Sequence, residues 1–365
     1  MAKRTPLFHE QQQLGAKFTE FSGWELPLYY SKIIDEHMAV RTSSGVFDVS
    51  HLGKINVKGA GANDLLQFVT TSDVAKIEIG RGAYTLFCNS IGGIIDDDIA
   101  YRLEENEFLI ITNASRIQTI MAWLNDNKYD FPPLQIRNLT TKLCLLALQG
   151  PKSPDVLRAV FKEDTARYKQ YSVRNISALG NKFTVMRSGY TGEEGFEILC
   201  DPKAAISAWK ALISAGVKPA GLGARDMLRL EMGYPLYDHE LTARITPIEA
   251  GLLRFVYFDK GEFIGRSALY AQLEKGAEKK LVGFVLDSGI AREGSIITVP
   301  SNGEIGKVTS GGFSPILRKG IGMGYVKSDY AEYDMAINII VRGKSLTGHI
   351  AKRPFIEKRS VSAVA

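Results

Sequence analysis

Apolar and polar residues recur at two spacings along this chain, and the spacings fall in blocks. Ile55-Asn56-Val57-Lys58, Ala83 to Cys88 and Glu107 to Asn113 read as strands, and the apolar run Leu143 to Leu148 reads as a buried one. Helical spacing appears from about Ala62 to Thr70, and from Arg116 to Asn125 with Ile117, Ile120 and Met121 on one face. It returns after Ser153-Pro154 (Val156, Leu157, Val160, Phe161) and over 203–215 around Ile206, Trp209, Leu212 and Ile213, ending at Gly216. Ser31 stands where it could cap a helix running to about Arg41. Residues 20–30 are dense in aromatics but punctuated by Gly23 and Pro27, which predicts a buried loop lining a cavity or plain packing of Trp24. After about residue 255 the texture changes. Lys280–Leu286, Gly306–Thr309, Gly322–Val326 and Ala336–Val341 alternate with Gly, Pro and Ser turns, which predicts a separate small β-barrel or sandwich. The Ser/Ala-rich tail from Ser360 reads as frayed.

One stretch breaks its own pattern. Gly92-Gly93 makes a turn, and the β-branched segment that follows, Ile94 to Arg102, carries Asp96, Asp97 and Asp98 in its interior. Carboxylates are disfavoured there and costly against an apolar core unless paired. Strand alternation sends Asp96 and Asp98 one way with Ile94 and Ala100, and Asp97 the other way with Ile95, Ile99 and Tyr101. Asp97 is then the acid in the apolar, aromatic-edged environment, where loss of water raises a carboxyl pKa. The spacing leaves a second reading open, a surface hairpin whose acids face water, because a bulge could reverse the alternation.

Composition narrows the class. A chain of 365 residues is expected to form two or three domains, and 45% hydrophobic against 23% charged residues fits a globular protein. The net charge of +5 permits an acidic partner or an anionic substrate without requiring nucleic acid, and no Lys/Arg run with interleaved aromatics appears. Cys88, Cys144 and Cys200 form no Cys-x-x-Cys pair, so a disulfide framework and a thiolate metal site are not expected. A reducing, cytoplasmic compartment fits. The five histidines are scattered without zinc spacing and read as structural. The N-terminus lacks the apolar core of a signal peptide, and no run of about 18 apolar residues predicts a membrane span.

Two further stretches carry chemistry. Arg187 to Ile198 packs three glycines, Tyr190 and Glu197 into a loop and an outgoing strand. It is a hairpin turn or a loop whose backbone approaches a ligand. In Gly221 to Glu231 two glycines open a helix, and Arg225 in its first turn opposes the helix dipole. It would be explained by a carboxylate, Glu197 or a ligand's, or it is a surface ion pair. Gly59-Ala60-Gly61 hints at a dinucleotide turn, but Asp64 stands at the third glycine position, so no nucleotide site is expected. No nucleophile–base set emerges, which favours orientation and electrostatics over covalent catalysis.

Seven motifs in order carry a resemblance: Phe21-Ser-Gly-Trp24-Glu-Leu-Pro27, Val46 to His51, Gly92 to Asp97, Leu148-Gln149-Gly150-Pro151, Gly189 to Glu193, Gly221 to Asp226 and Thr309-Ser310-Gly311. Over essentially its whole length the chain resembles the T-protein family of the glycine cleavage system, aminomethyltransferases that use tetrahydrofolate. The resemblance implies an α+β, three-domain cloverleaf around a central folate channel. A discontinuous first domain would take 1–52 plus 141–254, an inserted antiparallel α+β domain 53–140, and a C-terminal β-barrel or jelly-roll-like domain 255–365. It implies transfer of the methylene carbon of an aminomethyl group on the lipoyl arm of H-protein to tetrahydrofolate, with H-protein as partner and no metal, nucleotide, nucleic acid or membrane. Residue by residue it implies Asp97 as the catalytic carboxylate, Glu197 in pterin recognition, Arg225 beside the folate, and Tyr84, Tyr101, Asn113, Tyr190 and Tyr234 lining the channel. Arg292 would close it from the third domain. Two positions depart from the pattern. Asp98 stands where relatives usually carry an apolar residue and is expected to add like charge beside Asp97. Asp238 replaces a usual glycine. The rivals are another folate-dependent demethylase of the superfamily, a non-catalytic folate-binding assembly factor, and the folate domain of a flavin oxidase. The assembly factors resemble a motif with a cysteine that Ser188 to Glu194 lacks, and no flavin domain precedes this chain.

Overall fold

The computed structural model describes residues 2–299 and 302–357; the tail expectation from Ser360 lies outside them. Residues 20–30 form a hairpin rather than a loop. Lys17–Phe21 and Trp24–Tyr29 pair antiparallel, and Lys3–Arg4 adds a parallel strand. Ser22 and Gly23 both take positive φ (50° and 77°), the two-residue turn whose twist matches paired strands. The helix Ile33–Thr42 follows, but Ser31 is not its cap. Buried Glu36 reaches back to accept the backbone N–H of Tyr30 and Ser31, at 2.7 Å each, and performs that task from inside the helix.

Two sheets face each other. One has six strands in the order Val173–Ala178, Asn181–Met186, Gly195–Cys200, Cys144–Gln149, Gly45–Asp48, Lys218–Pro219. Cys144–Gln149 is apolar without alternation because both its faces are covered. Leu146 and Leu148 pack with Trp209 of the helix Pro202–Ser214, while Leu145 and Ala147 pack against the second sheet. The second sheet has five strands in the order Arg81–Cys88, Ile94–Glu104, Glu107–Thr112, Gly53–Gly59, Leu134–Asn138. The helices Ala62–Val69 and Ile117–Asn127 cover its far face through Leu65, Leu66, Ile120 and Leu124. Its near face gives Tyr101, Leu109 and Ile111 to the core shared with the first sheet. The acidic strand thus lies between two apolar cores.

The C-terminal stretch opens with a helix that the β-rich texture did not predict, Arg266–Lys275, and then closes a six-stranded barrel. Phe284, Ile297, Ile339 and Ile350 fill that barrel. The helix Leu222–Glu231 joins barrel to sheets. Buried Glu231 accepts from His37 Nε2 (2.8 Å), Arg41 Nη2 (2.7 Å) and Ser314 Oγ of the barrel (2.6 Å). Among the described residues, no helix is long and apolar enough to cross a membrane, and Cys88, Cys144 and Cys200 are buried free thiols.

Burial raises the Glu231 carboxyl, but its hydrogen bonds and the charges of His37 and Arg41 outweigh that and hold it below its usual 4.5. Its contribution to stability is therefore full above about pH 4.5 and lost as pH falls through the lower folded value. Glu231→Gln, which removes the anion from a buried arginine, should destabilise the protein by about 3–5 kcal/mol in urea unfolding at neutral pH. A loss below about 1 kcal/mol would show that the latch contributes little.

Candidate active site

The turn before the acidic strand is fixed by its own residues. Asn89 Oδ1 accepts the N–H of Ile91 (3.1 Å) and Gly93 (2.9 Å). Gly92 supplies a positive φ of 81°, and a Cβ on Gly93 would lie 1.9 Å from the Ala243 carbonyl oxygen. Tyr237 OH donates to the Ile94 carbonyl (3.1 Å) and tethers the turn further. A bulge follows. Cys88 pairs with Ile94 and Phe87 with Asp96, leaving Ile95 as the extra residue. Ile95 therefore joins the helix-covered core with Ala100, contrary to simple alternation. From Asp97 onward the alternation holds, and Asp97, Ile99 and Tyr101 face the first sheet.

Asp97 is held by two donors. Tyr84 OH donates to Oδ2 (3.0 Å), and Asn113 Nδ2 donates to Oδ1 (2.9 Å). The same Asn113 amide reaches Asp96 Oδ1 (2.8 Å), and Asp96 also accepts the Asn113 backbone N–H (3.2 Å) and the Thr112 hydroxyl. Burial first, and then the charge of Asp96, raise the Asp97 carboxyl to about 8; the bonds from Tyr84 and Asn113 oppose the rise.

The opposite side comes from the glycine-rich loop and the helix Leu222–Glu231. Glu197 accepts the Ser188 hydroxyl, and burial raises its carboxyl above the usual range. Tyr101, fully buried, carries its hydroxyl toward Ser188 and Glu197, and its ring covers Gly82, where a Cβ would lie 2.5 Å from it. Tyr190 stacks on Tyr234 with centroids 5.6 Å apart, and the Arg225 guanidinium lies over Tyr190 at 4.9 Å. Arg225 is within electrostatic reach of Glu197, but the expected ion pair is not a direct bond, and Nη1 of Arg225 is buried with no hydrogen-bond partner. A hollow lined by Pro27, Phe47, Asp48 and Gly221 lies beside it. The loop glycines are explained by packing rather than by a ligand. Cβ atoms on Gly189 and Gly195 would strike buried Gln149, and one on Gly192 would strike Met232.

Asp97, Tyr84 and Asn113 are joined by hydrogen bonds, and Tyr190, Tyr234, Arg225, Glu197 and Tyr101 form a connected second group. Asp97 and Tyr190 influence each other electrostatically across the two. Arg292 stands apart. It is exposed on the barrel and donates to the Gly311 carbonyl (3.2 Å), with no bond to the cluster among the described residues. Asp238 takes a φ of 72°, which accounts for the usual glycine, and accepts the Ser115 hydroxyl (3.0 Å). Sequence reasoning missed Ser188, Tyr171, Phe255 and Asp96 as an anchor. Phe255 packs on Tyr84 at 4.5 Å, and Tyr171 lies within electrostatic reach of Tyr84, Tyr101 and Tyr234. Ser188 stood inside the glycine-rich stretch Arg187 to Ile198, next to the motif Gly189 to Glu193; Tyr171 and Phe255 belong to no pattern. Among the described residues, no cluster of three or more acidic, His or Cys side chains could hold a metal ion.

The fold and its buried acidic strand have clear relatives. Residues 7–260 match the GCVT N-terminal domain, and residues 279–357 match the glycine cleavage T-protein C-terminal barrel domain. The chain belongs to the glycine cleavage T-protein family. An aminomethyltransferase from Halothermothrix orenii is 44% identical over 360 residues, 97% of this chain and 100% of that one. Another from Thermoanaerobacter pseudethanolicus is 42% identical over 362 residues, 98% of each. The crystal structure of glycine cleavage system aminomethyltransferase T from Bartonella henselae, 34% identical, superposes with a TM-score of 0.92 over 98% of this chain and 99% of that one.

Because the Tyr84 bond favours the charged form of Asp97, Tyr84→Phe should move the Asp97 titration upward from about 8. Infrared titration, with the band assigned through Asp97→Asn, reads the shift; an unchanged or lower midpoint would contradict the assigned bond.

Proposed function

We propose that this aminomethyltransferase of the glycine cleavage system uses Asp97 as its catalytic carboxylate. Its substrate is the aminomethyl group on the lipoyl arm of H-protein, and its acceptor is tetrahydrofolate. The products are 5,10-methylenetetrahydrofolate, ammonia and the dihydrolipoyl carrier. The observation that carries this reading is Asp97 itself, a carboxyl fixed from both sides by Tyr84 and Asn113 at the edge of an aromatic group.

The residues suit such a ligand. Tyr84, Tyr190 and Tyr234 offer faces for a flat heterocycle, Glu197 offers a carboxyl to ring N–H groups, and the unpartnered Nη1 of Arg225 offers a donor to an anion. Tetrahydrofolate supplies the nucleophilic nitrogen. Asp97 meets the folate near its bridging nitrogen, holds the acceptor in line, and stabilises the positive charge that builds on the transferred carbon as ammonia leaves. A fixed carboxylate in a dry site does this without reorganising. Three lobes would surround the folate as a cloverleaf, split as 1–52 plus 141–254, 53–140 and 255–365. Arg292, on the barrel, would close the channel only by leaving Gly311. The same reading places the protein in the cytoplasm, which the three free thiols support.

The test is tetrahydrofolate-dependent ammonia release from aminomethylated H-protein. Wild type should release ammonia, with kcat/KM rising with pH through about 8 as Asp97 ionises. Asp97→Asn should stay folded and lose about 100-fold or more in turnover. Unchanged turnover would remove the role. A folded, folate-binding wild type that releases no ammonia would redirect the reading to a demethylase of small methylated substrates.

A further inference from the structure

Asp98 is not used by the machinery above. It is 1% exposed, on the helix-covered face with Asp96. Across the strand on one side stands Thr85, whose hydroxyl oxygen accepts the Ser72 N–H (3.2 Å); on the other stands Thr112, whose hydroxyl donates to Asp96. Beyond Ser72, Lys260 donates to the Ser72 carbonyl (2.9 Å) and Asp73 pairs with Lys76 (2.8 Å); neither bonds Asp98. Neither carboxyl oxygen of Asp98 has a donor.

An ionised carboxylate can only accept hydrogen bonds. Asp98 as an anion would therefore lie in an apolar core with nothing to bond, next to a second carboxyl. Asp96 and the Thr112 hydroxyl are the groups within its hydrogen-bonding reach, and the one proton of that hydroxyl is committed to Asp96. A bond between the two carboxyls then requires a proton on one of them. Asp96 already accepts three donors, from Thr112 and Asn113, which favour its charged form. The proton therefore belongs to Asp98.

We infer that Asp98 is a positioning residue that works as a neutral acid: it donates a hydrogen bond to Asp96, and so fixes the carboxylate that aims the Asn113 amide at Asp97. Burial and then the Asp96 charge raise the Asp98 carboxyl well above its usual range, in agreement with that geometry. On this reading the expectation that a third acid would add like charge beside Asp97 is replaced by a different role for Asp98. The charge that raises Asp97 comes from Asp96, and Asp98 contributes a proton donor instead.

The kinetic half of the test rests on the reading of Asp97 as the catalytic carboxylate; the spectroscopic half does not. At roughly pH 9.5, above the titration of Asp97, the infrared spectrum of the wild type should keep a carboxylic-acid C=O band. The band should persist in Asp97→Asn and vanish in Asp98→Asn. In the ammonia-release assay Asp98→Asn, whose amide can donate the same bond, should keep turnover within about twofold and leave the pH profile in place. Asp98→Leu keeps the bulk without the donor. It should stay folded, lower kcat by about tenfold with little change in the KM for tetrahydrofolate, and displace the pH profile. Absence of the band in wild type, its survival in Asp98→Asn, or an acid limb that falls by about one unit in both variants, as loss of a charge would cause, overturns the inference. Failure of the wild type to release ammonia would strike only at the proposed function, because the band is read without turnover.

Discussion

Desolvation of three consecutive carboxyls is the constraint on which this structure turns. A strand placed between two apolar cores leaves Asp96 and Asp98 buried and Asp97 only partly exposed, so each acid needs its own solution. Asp96 takes three donors, which oppose the rise that burial causes in its carboxyl and favour its charged form. Asp97 takes two and is left with a raised pKa at the edge of the aromatic group. Asp98 has no donor and shares the helix-covered face with Asp96. One side chain, Asn113, links the first two, so the Asp97 carboxyl is positioned from a neighbour that is itself anchored.

The surrounding fold keeps that array in place. The Gly92-Gly93 turn brings the strand against Ala243, and the bulge at Ile95 sets which acid faces which core. Helices seal one face, and the six-stranded sheet closes the other. The helix Leu222–Glu231 then works at both ends. Arg225 near its start lies over Tyr190, and Glu231 at its end ties the barrel to the helix Ile33–Thr42. The barrel thus reaches the site region through a buried polar contact in which one carboxylate, Glu231, accepts from His37, Arg41 and Ser314.

Much of this was legible in the sequence because the signals were local. The strand pattern, the glycine turn and the misplaced acids identified the acidic strand, and alternation assigned Asp97, Ile99 and Tyr101 to one face. Ile95 was misassigned because a bulge depends on pairing with Cys88 and Phe87, which no single-strand pattern contains. The hairpin over 17–29 was hidden by Pro27 and Gly23, since proline and glycine usually argue against a strand; the positive φ of Ser22 decided it. Ser31 lost its capping role to Glu36, whose longer side chain reaches two backbone donors from within the helix. Ser188, Tyr171 and Phe255 join the cluster only through the tertiary fold. Arg292 was drawn in by resemblance and stays at the barrel surface.

The central claim is that Asp97 meets the folate at the reacting end, and a crystal structure with tetrahydrofolate bound tests it most directly. The account predicts the Asp97 carboxyl within about 2.6–3.2 Å of the bridging nitrogen of the folate, with Tyr84 and Asn113 still bonded to it. Folate bound with its pterin away from Asp97, or Asp97 turned from its two donors toward no ligand, would contradict it.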